Sequence, residues 1–429
     1  MSLSRILFCA GLIILGLPLE GQEPVPGNPA DVIREGQNQK KALRIVEGVY
    51  QAVGFGNTFM VTTSEGNVII DTSLAAGAAH HVKLLKAENA GPTRYIILTH
   101  GHGDHTGGVP LWREPGTAII AQRNHVEFMH YQARLHGFFG LRNAAQFALP
   151  RPAGREWPGN YGAKIEPSLL FDDRYEFILG ATRFELYHTP GETADHLTVW
   201  LPQSKAAFVG DNYYQSFPNI YTLRGTQPRW ALDYIRSLDK VLSLKPEVVL
   251  PSHGPPIHGN AEITRLLTRC RDAIQYVHDE TVKGMNAGKD VFTLMREIKL
   301  PAALDVGEGY GKLSWSIRGI YEGYAGWFDL NPVTMYEVPS SSVHADLVRL
   351  AGGAGAIVKL AMERVEGGRA AEALHLIDAA LAADPDSRPA LDVRLKALQF
   401  LRDRSRNSNE RGWLDYSIGV TKGKLVGKQ

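Results

Sequence analysis

Two cysteines, Cys9 and Cys270, are all that the 429 residues contain. That excludes a disulfide framework, and if Cys9 leaves with a removable leader no intramolecular disulfide is possible. Cys270 falls in a helical stretch and reads as a packed thiol. An excess of one charge is also missing: 46 Lys and Arg face 45 Asp and Glu, for a formal net charge of +1. Nothing in that balance suits a nucleic-acid backbone. Beyond the N-terminus no apolar run approaches the roughly 20 residues needed to span a bilayer. A phosphate loop is absent as well: Gly352-Gly353-Ala354-Gly355 follows no strand and lacks a Lys-Ser/Thr end, so it reads as a helix break.

What is present begins with Arg5 followed by the apolar run Ile6 to Leu17. It is too short to span comfortably and fits the apolar core of a secretory signal, residues 1–22, with Gly21 the best cleavage candidate. An uncleaved anchor is the alternative. Export without disulfides suits a bacterial periplasm. Residues 23–41 are polar with Pro and Gly and read as a linker. Over 42–262 short β-like runs alternate with helical ones, which predicts sheets covered by helices, an α/β domain. "NTFMVTT" and "VIIDT" form a hairpin, Leu74 to Ala87 a helix, and "RYIIL" a strand buried on both faces. Asn124 to Phe147 reads as helix. "RFELYHT", "LTVWLP", "KAAFVGD" and "EVVLPSHG" are further strands, with a helix at Trp230 to Leu244. Residues 263–405 are mostly helical and form an all-α domain, with one helix-turn-helix unit broken at Asp384-Pro385. Residues 406–429 read as a frayed tail, because the end carries Gly419, Gly423, Gly427 and three lysines without an acid.

The informative stretch is "RYIILTHGHGDHTGG". His100, His102, Asp104 and His105 follow a buried strand, with Gly101, Gly103, Gly107 and Gly108 allowing a tight bend. His100 and His102 alternate toward one point; Asp104 and His105 turn toward a second. Two metal centres about 3.5–4 Å apart would use such a set. Each zinc takes about four N or O donors, so more ligands are needed. Three lie at the ends of strands: Glu192, Asp211 and His253. Glu192 sits on the Pro190-Gly191 turn, with His188 and His196 as competitors; His258 competes with His253. Asp71, ending "VIID", is either an acceptor for a ligand imidazole or a plain turn-former.

H-x-H-x-D-H with a downstream T-P-G-ligand-T turn, an Asp and a His resembles the metallo-β-lactamase superfamily. "FPNIYTLRGTQPRWALDYIRSLDKVLSLKPEVVLPSHGPPIHG" and "YGKLSWSIRGIYEGYAGWFDLNP" resemble its alkyl sulfatase branch. The resemblance runs from about Ala42 to Leu401. It implies an αββα sandwich followed by an all-α helical dimerisation domain. It implies two Zn2+ per chain, one on His100, His102 and Glu192, the other on Asp104, His105 and His253, with Asp211 bridging. Glutamate in the T-P-G turn is that branch's choice, where most of the superfamily has histidine. In the branch the Asn and Arg of N-x-Y-T-x-R hold the sulfate; here they are Asn219 and Arg224, with Tyr221 between them offering a further polar group.

The expected activity is hydrolysis of sulfate esters of alkyl-type alcohols by a metal-activated hydroxide, with Asp104 and Asp211 as catalytic ligands and a small anionic ester as substrate. Two departures accompany the resemblance. Asp211 stands where the branch usually bridges with glutamate, and the chain stops where those enzymes continue into a sterol-carrier-like domain. One alternative is the same machinery acting on a β-lactam, lactone or phosphoester; another is a non-catalytic zinc-stabilised dimerisation module. The aromatic run Trp315 to Phe328 suggests a homodimer or, alternatively, internal packing. Tyr321 or Tyr324 is a candidate to reach the site.

Overall fold

The computed structural model describes residues 34–147 and 165–427. The expected signal, and the linker up to residue 33, lie outside them. The N-terminal half opens with four antiparallel strands: β1 (Leu43–Val46), β2 (Val49–Ala52), β3 (Thr58–Thr63) and β4 (Gly66–Ile70). Helix α1 (Ala75–Glu88) then crosses to β5 (Thr93–Ile97), which lies parallel to β4. Two short helices, α2 (Gly103–Thr106) and α3 (Val109–Trp112), lead to β6 (Ala118–Gln122). The expected helix over Asn124 to Phe147 is two helices, α4 (His125–Arg134) and α5 (His136–Gln146), broken at Leu135. Strand β7 (Leu169–Phe171) completes a seven-stranded sheet in chain order.

The second sheet has six strands: β8 (Arg174–Leu179), β9 (Thr182–His188), β10 (Leu197–Leu201), β11 (Ala206–Gly210), β12 (Val248–Pro251) and β13 (Ile257–His258). Helix α6 (Ala231–Ser243) connects β11 to its parallel neighbour β12.

Side-chain alternation explains why these strands are apolar almost throughout. Val68 and Ile70 point to the inter-sheet core, with Phe59, Ile97, Phe184, Leu197, Phe208 and Leu250. Ile69 and Ile96 point the other way, onto Leu84 and Leu85 of α1 and Trp112 of α3. In the second sheet Ala207, Val209 and Val249 meet Ile235, Leu238 and Val241 of α6. Both faces of each sheet are therefore dry, and the architecture is an αββα sandwich.

A helical region follows: α7 (Asn260–Asn286), α8 (Val291–Glu297), α9 (Leu313–Ala325), α10 (His344–Leu350), α11 (Ala354–Glu366), α12 (Ala370–Ala383), α13 (Arg388–Arg404) and α14 (Ser408–Val426). Ile274 of α7 and Ile317 and Ile320 of α9 join the core on the outer face of the second sheet. Helices α10 to α13 form a separate core around Ile357, Ala361, Ile377 and Ala397.

One expectation changes here. The stretch taken for a frayed tail is α14. Asn407 caps it by accepting from the Glu410 N–H at 3.0 Å, Lys312 pairs with Glu410 at 2.8 Å, and Arg402 pairs with Asp415 at 3.0 Å. Its Gly412 lies against the backbone of Gln146, where an added Cβ would come within 1.7 Å of a carbonyl oxygen. Tertiary contact, absent from any local pattern, orders a weakly apolar segment. In the aromatic run Trp315 to Phe328, α9 turns Leu313, Ile317 and Ile320 into the molecule's own core. Tyr324 near its end is exposed, and Trp327 and Leu330 just after it are more so.

Candidate metal centre and anion site

Every candidate ligand projects from one end of the sandwich. The chain leaves β5 at Leu98; His100 follows in a bend and His102 on extended backbone before α2 carries Asp104 and His105. Asp211 follows β11 and His253 follows β12. Ser252 donates its backbone N–H to the Gly210 carbonyl at 3.0 Å, which sets those two strand ends side by side.

The ligand atoms converge in two trios. His100, His102 and Asp211 place theirs within 4.8 Å of one another, and so do Asp104, His105 and His253. Between the trios, Asp211 Oδ2 lies 3.1 Å from His253 Nε2 and 3.7 Å from His100 Nε2, while its Oδ1 lies 3.5 Å from His105 Nε2. Glu192 Oε1 is 3.8 Å from His102 Nδ1. His105 Nε2 and Asp211 Oδ1 are buried without a hydrogen-bond partner. Imidazole and carboxylate atoms converging on two points, some of them buried with no hydrogen-bond partner among the described residues, fit divalent cations.

Charge tells the same story. Burial drives His100 well below the usual histidine range, with the neighbouring His105 adding to the effect; burial does the same to His102, helped by Arg224 and Arg229. Both imidazoles are thus neutral and ready to ligate. Burial opposes charge on His105 and His253 as well. There the carboxylates of Asp211 and Asp104 prevail, holding His105 well above its usual range and raising His253 to about 10. Asp104 and Asp211 are held well below the carboxylate range against their own burial, Asp104 chiefly by His105 and Asp211 chiefly by His253. The pocket demands positive charge, and without a metal protons supply it.

Surrounding residues hold the ligands in place. Asp71, in a left-handed turn (φ 55), accepts from Thr99 N and Thr99 Oγ1 at 2.8 Å, from His105 Nδ1 at 2.8 Å and from Ser252 Oγ at 2.9 Å. Of the two readings of Asp71, the structure shows the acceptor, toward the candidate ligand His105. His196 is no competitor for Glu192: its Nε2 accepts from the Asp211 N–H at 3.1 Å and its Nδ1 lies 3.2 Å from Thr189 Oγ1. Gly210 (φ 52) makes room for that ring, since an added Cβ would come within 2.2 Å of it. His188 turns to the Ala194 carbonyl, and His258 is exposed on β13.

The loop after β11 supplies the polar wall. Arg224 Nη2 lies 3.3 Å from His102 Nε2, and Arg224 Nε is buried without a partner. Asn219 is fully buried, yet neither its amide oxygen nor its amide nitrogen is paired among the described residues. Helix α5 fixes this loop: Gln146 Oε1 accepts from Arg224 N at 3.0 Å, and Arg142 donates to the carbonyls of Leu223 and Arg224. Trp413 of α14 covers Arg142 at 5.4 Å. Tyr221 packs on Gly319 of α9.

Three residues had no signal in the sequence. Arg229 and Tyr234 both reach Glu192 Oε2, at 2.5 and 2.8 Å. Tyr310, between α8 and α9, lies within electrostatic reach of Arg224, Glu192, Asp104 and Asp211. Asn407 and Asn409 hold its carbonyl from beside and within α14. It occupies the role expected of Tyr321 or Tyr324: Tyr324 pairs with His278 at 2.9 Å, and Tyr321 packs on the core.

Residues 52–253 match the metallo-beta-lactamase superfamily, and residues 293–418 match the alkyl sulfatase dimerisation family. A linear primary-alkylsulfatase of Pseudomonas sp. is 29% identical over 392 residues, covering 86% of this chain and 74% of that protein. An alkyl/aryl-sulfatase of Saccharomyces cerevisiae is 26% identical over 448 residues, covering 94% and 69%. The solved structure of a stereoselective inverting sec-alkylsulfatase from Pseudomonas sp. superposes with a TM-score of 0.82 at 22% identity; the match covers 89% of this chain but only 66% of that one, and it speaks for the fold. The chain thus carries a metallo-β-lactamase superfamily domain, over residues 52–253, joined to an alkyl sulfatase dimerisation domain, over residues 293–418.

Proposed function

We propose that the chain is a binuclear zinc hydrolase that cleaves sulfate esters of alkyl-type alcohols. One observation carries the substrate class. Beside the ligand trios, a fully buried amide (Asn219) and a guanidinium Nε (Arg224) have no hydrogen-bond partner among the described residues. Unpaired buried donors are costly unless a ligand satisfies them, and a planar cationic fork matches a sulfate oxygen pair.

His100, His102 and Glu192 would hold one cation and Asp104, His105 and His253 the other, with Asp211 between them. A divalent cation in such a site lowers the pKa of water to about 7 and so makes hydroxide available near neutral pH. The chain's own residues do the rest. If His102 held a cation through Nδ1, its ring proton would sit on Nε2, which could then not accept from Arg224. The guanidinium is then available to the substrate anion, and Asn219 lies on the same loop to donate alongside it. The Tyr310 phenol is pushed well above its ordinary value, mainly by burial, so it stays protonated and can donate to an ester or leaving-group oxygen.

We further propose a homodimer. The segment after α9 exposes Trp327 (73%), Leu330 (83%), Val333, Tyr336, Val338 and Leu350 (81%). So much clustered apolar surface suits a partner, and the dimerisation family matched over this region supports a second copy. Export is proposed from the apolar run Ile6 to Leu17; among the described residues no helix is long and apolar enough to cross a membrane.

The test is a hydrolysis screen of alkyl sulfates of graded chain length beside β-lactams, lactones and phosphoesters, with metal content measured on the same sample. Turnover of alkyl sulfates above the others supports the proposal. Turnover of another class alone transfers the site to that class, and no turnover of any by the zinc-loaded protein leaves the non-catalytic module.

A further inference from the structure

Glu192 is an unusual donor for its place. It is buried, a carboxylate among neutral imidazoles, and close to a second carboxylate, Asp211. Its two oxygens are treated differently. Oε2 takes both available donors: Arg229 Nη1 at 2.5 Å and Tyr234 Oη at 2.8 Å. Oε1 accepts no hydrogen bond from the described residues and lies 3.8 Å from His102 Nδ1. A buried ion pair that only filled the core would use the arginine fork on both oxygens. Here one oxygen is clamped and the other is presented.

Arg229 is itself buried (6% exposed), and its other contacts run to the substrate loop. The same Nη1 donates to the Asn219 carbonyl at 2.7 Å, and Nε donates to Thr226 Oγ1 at 3.2 Å. One guanidinium therefore joins the carboxylate beside His102 to the backbone of the residue whose amide is unpaired. We propose that Arg229 is a positioning residue: it makes a carboxylate usable as the third donor beside His100 and His102, and it couples that donor to the anion site at Asn219. This rests on the metal reading above.

The chemistry makes a reciprocal demand. An anionic donor clamped by a cation and a neutral donor without one are each consistent; a mixture of the two is not. With Arg229 gone, Glu192 is a buried carboxylate free to turn away or take a proton. With Glu192 replaced by a neutral imidazole, Arg229 becomes an uncompensated buried charge next to the cation site.

The experiment uses the full chain and zinc as the probe. Wild type, Arg229→Met, Glu192→His and the double variant are loaded with zinc and dialysed against a weak chelator, and retained metal is measured. Each single variant should retain about half the wild-type zinc, and the double variant should recover most of the loss. Should Arg229→Met not fold alone, Glu192→His against the double variant decides: adding Arg229→Met must raise retained zinc. Arg229→Lys keeps the charge but cannot reproduce the contacts to Glu192, Asn219 and Thr226 together. It should hold zinc at close to the wild-type level while KM for a sulfate ester rises several-fold. Wild-type retention by Arg229→Met, or a double variant no better than Glu192→His, overturns the positioning role and leaves the metal reading standing. A wild type that holds no zinc overturns both.

Discussion

Asp71 Oδ2 lies 2.8 Å from His105 Nδ1, and neither residue has solvent access. The carboxylate fixes the ring's tautomer, so Nε2 faces Asp104 and Asp211. Asp71→Asn isolates this function, because asparagine tolerates the left-handed backbone at this position. We expect zinc affinity to fall about 10–100-fold, the range for losing an outer partner of a metal ligand. Competition with a chromophoric chelator measures it; unchanged affinity would show that His105 needs no orienting partner.

Arg224 should separate binding from metal retention. Arg224→Ala should weaken binding of a sulfate ester by about 1.5–3 kcal/mol, the scale of a hydrogen bond to a charged group. Arg224→Lys keeps the charge, loses the fork and should still raise KM. Zinc content should stay at the wild-type level in both, since a guanidinium does not ligate. Kinetics above and below KM, with elemental analysis of the same samples, checks both halves.

Asp211→Ala is the opposite case. Asp211 faces both trios, so its loss should lower bound metal and turnover together. A variant that keeps full metal and loses only rate would remove the bridging role.

The apolar strip after α9 gives a prediction about assembly. Trp327→Glu with Leu330→Asp should convert a dimer to a monomer at micromolar concentration in multi-angle light scattering, with the far-UV spectrum unchanged. A wild type that is already monomeric there would refute the dimer.

His81 makes stability pH-dependent. It is buried on α1, with Nδ1 2.9 Å from Thr58 Oγ1 and Nε2 3.0 Å from the Val53 carbonyl, and burial lowers its pKa to about 4. The unfolded chain, with an ordinary pKa of about 6.5, takes up the proton first. Stability is therefore full above about pH 6.5 and falls as pH drops toward 4. At about 1.4 kcal/mol per unit, the loss amounts to roughly 3 kcal/mol. Urea midpoints at pH 7 and pH 5 should differ more in wild type than in His81→Gln.

Much of this was legible in the sequence. The candidate cluster after "RYIIL" and the three later candidates at strand ends follow from one local rule: a dry strand delivers its next residues to the sheet's edge; for Asp71 the same rule left acceptor and turn-former both open. Arg229, Tyr234 and Tyr310 were not legible, because nothing in their neighbourhood distinguishes them from surface residues; only the packing of α6 and of the segment between α8 and α9 turns them inward. Helix α14 was hidden for the same reason. Its glycines and lysines argue for a loose end, whereas Gly412 is small because it touches Gln146.

That contact reaches further than stability. Helix α14 leans on α5, and α5 grips the peptide units on either side of the Arg224 Cα through Gln146 and Arg142. The last helix of the chain thus forms part of the mould in which the guanidinium's reach is cast. The two halves are then not interchangeable modules. A catalytic half cut loose by recombination would keep its ligands and lose the wall that sets which anions fit. Small changes at the α5–α14 seam give a lineage of such chains a route from one ester to another in which no ligand is ever mutated.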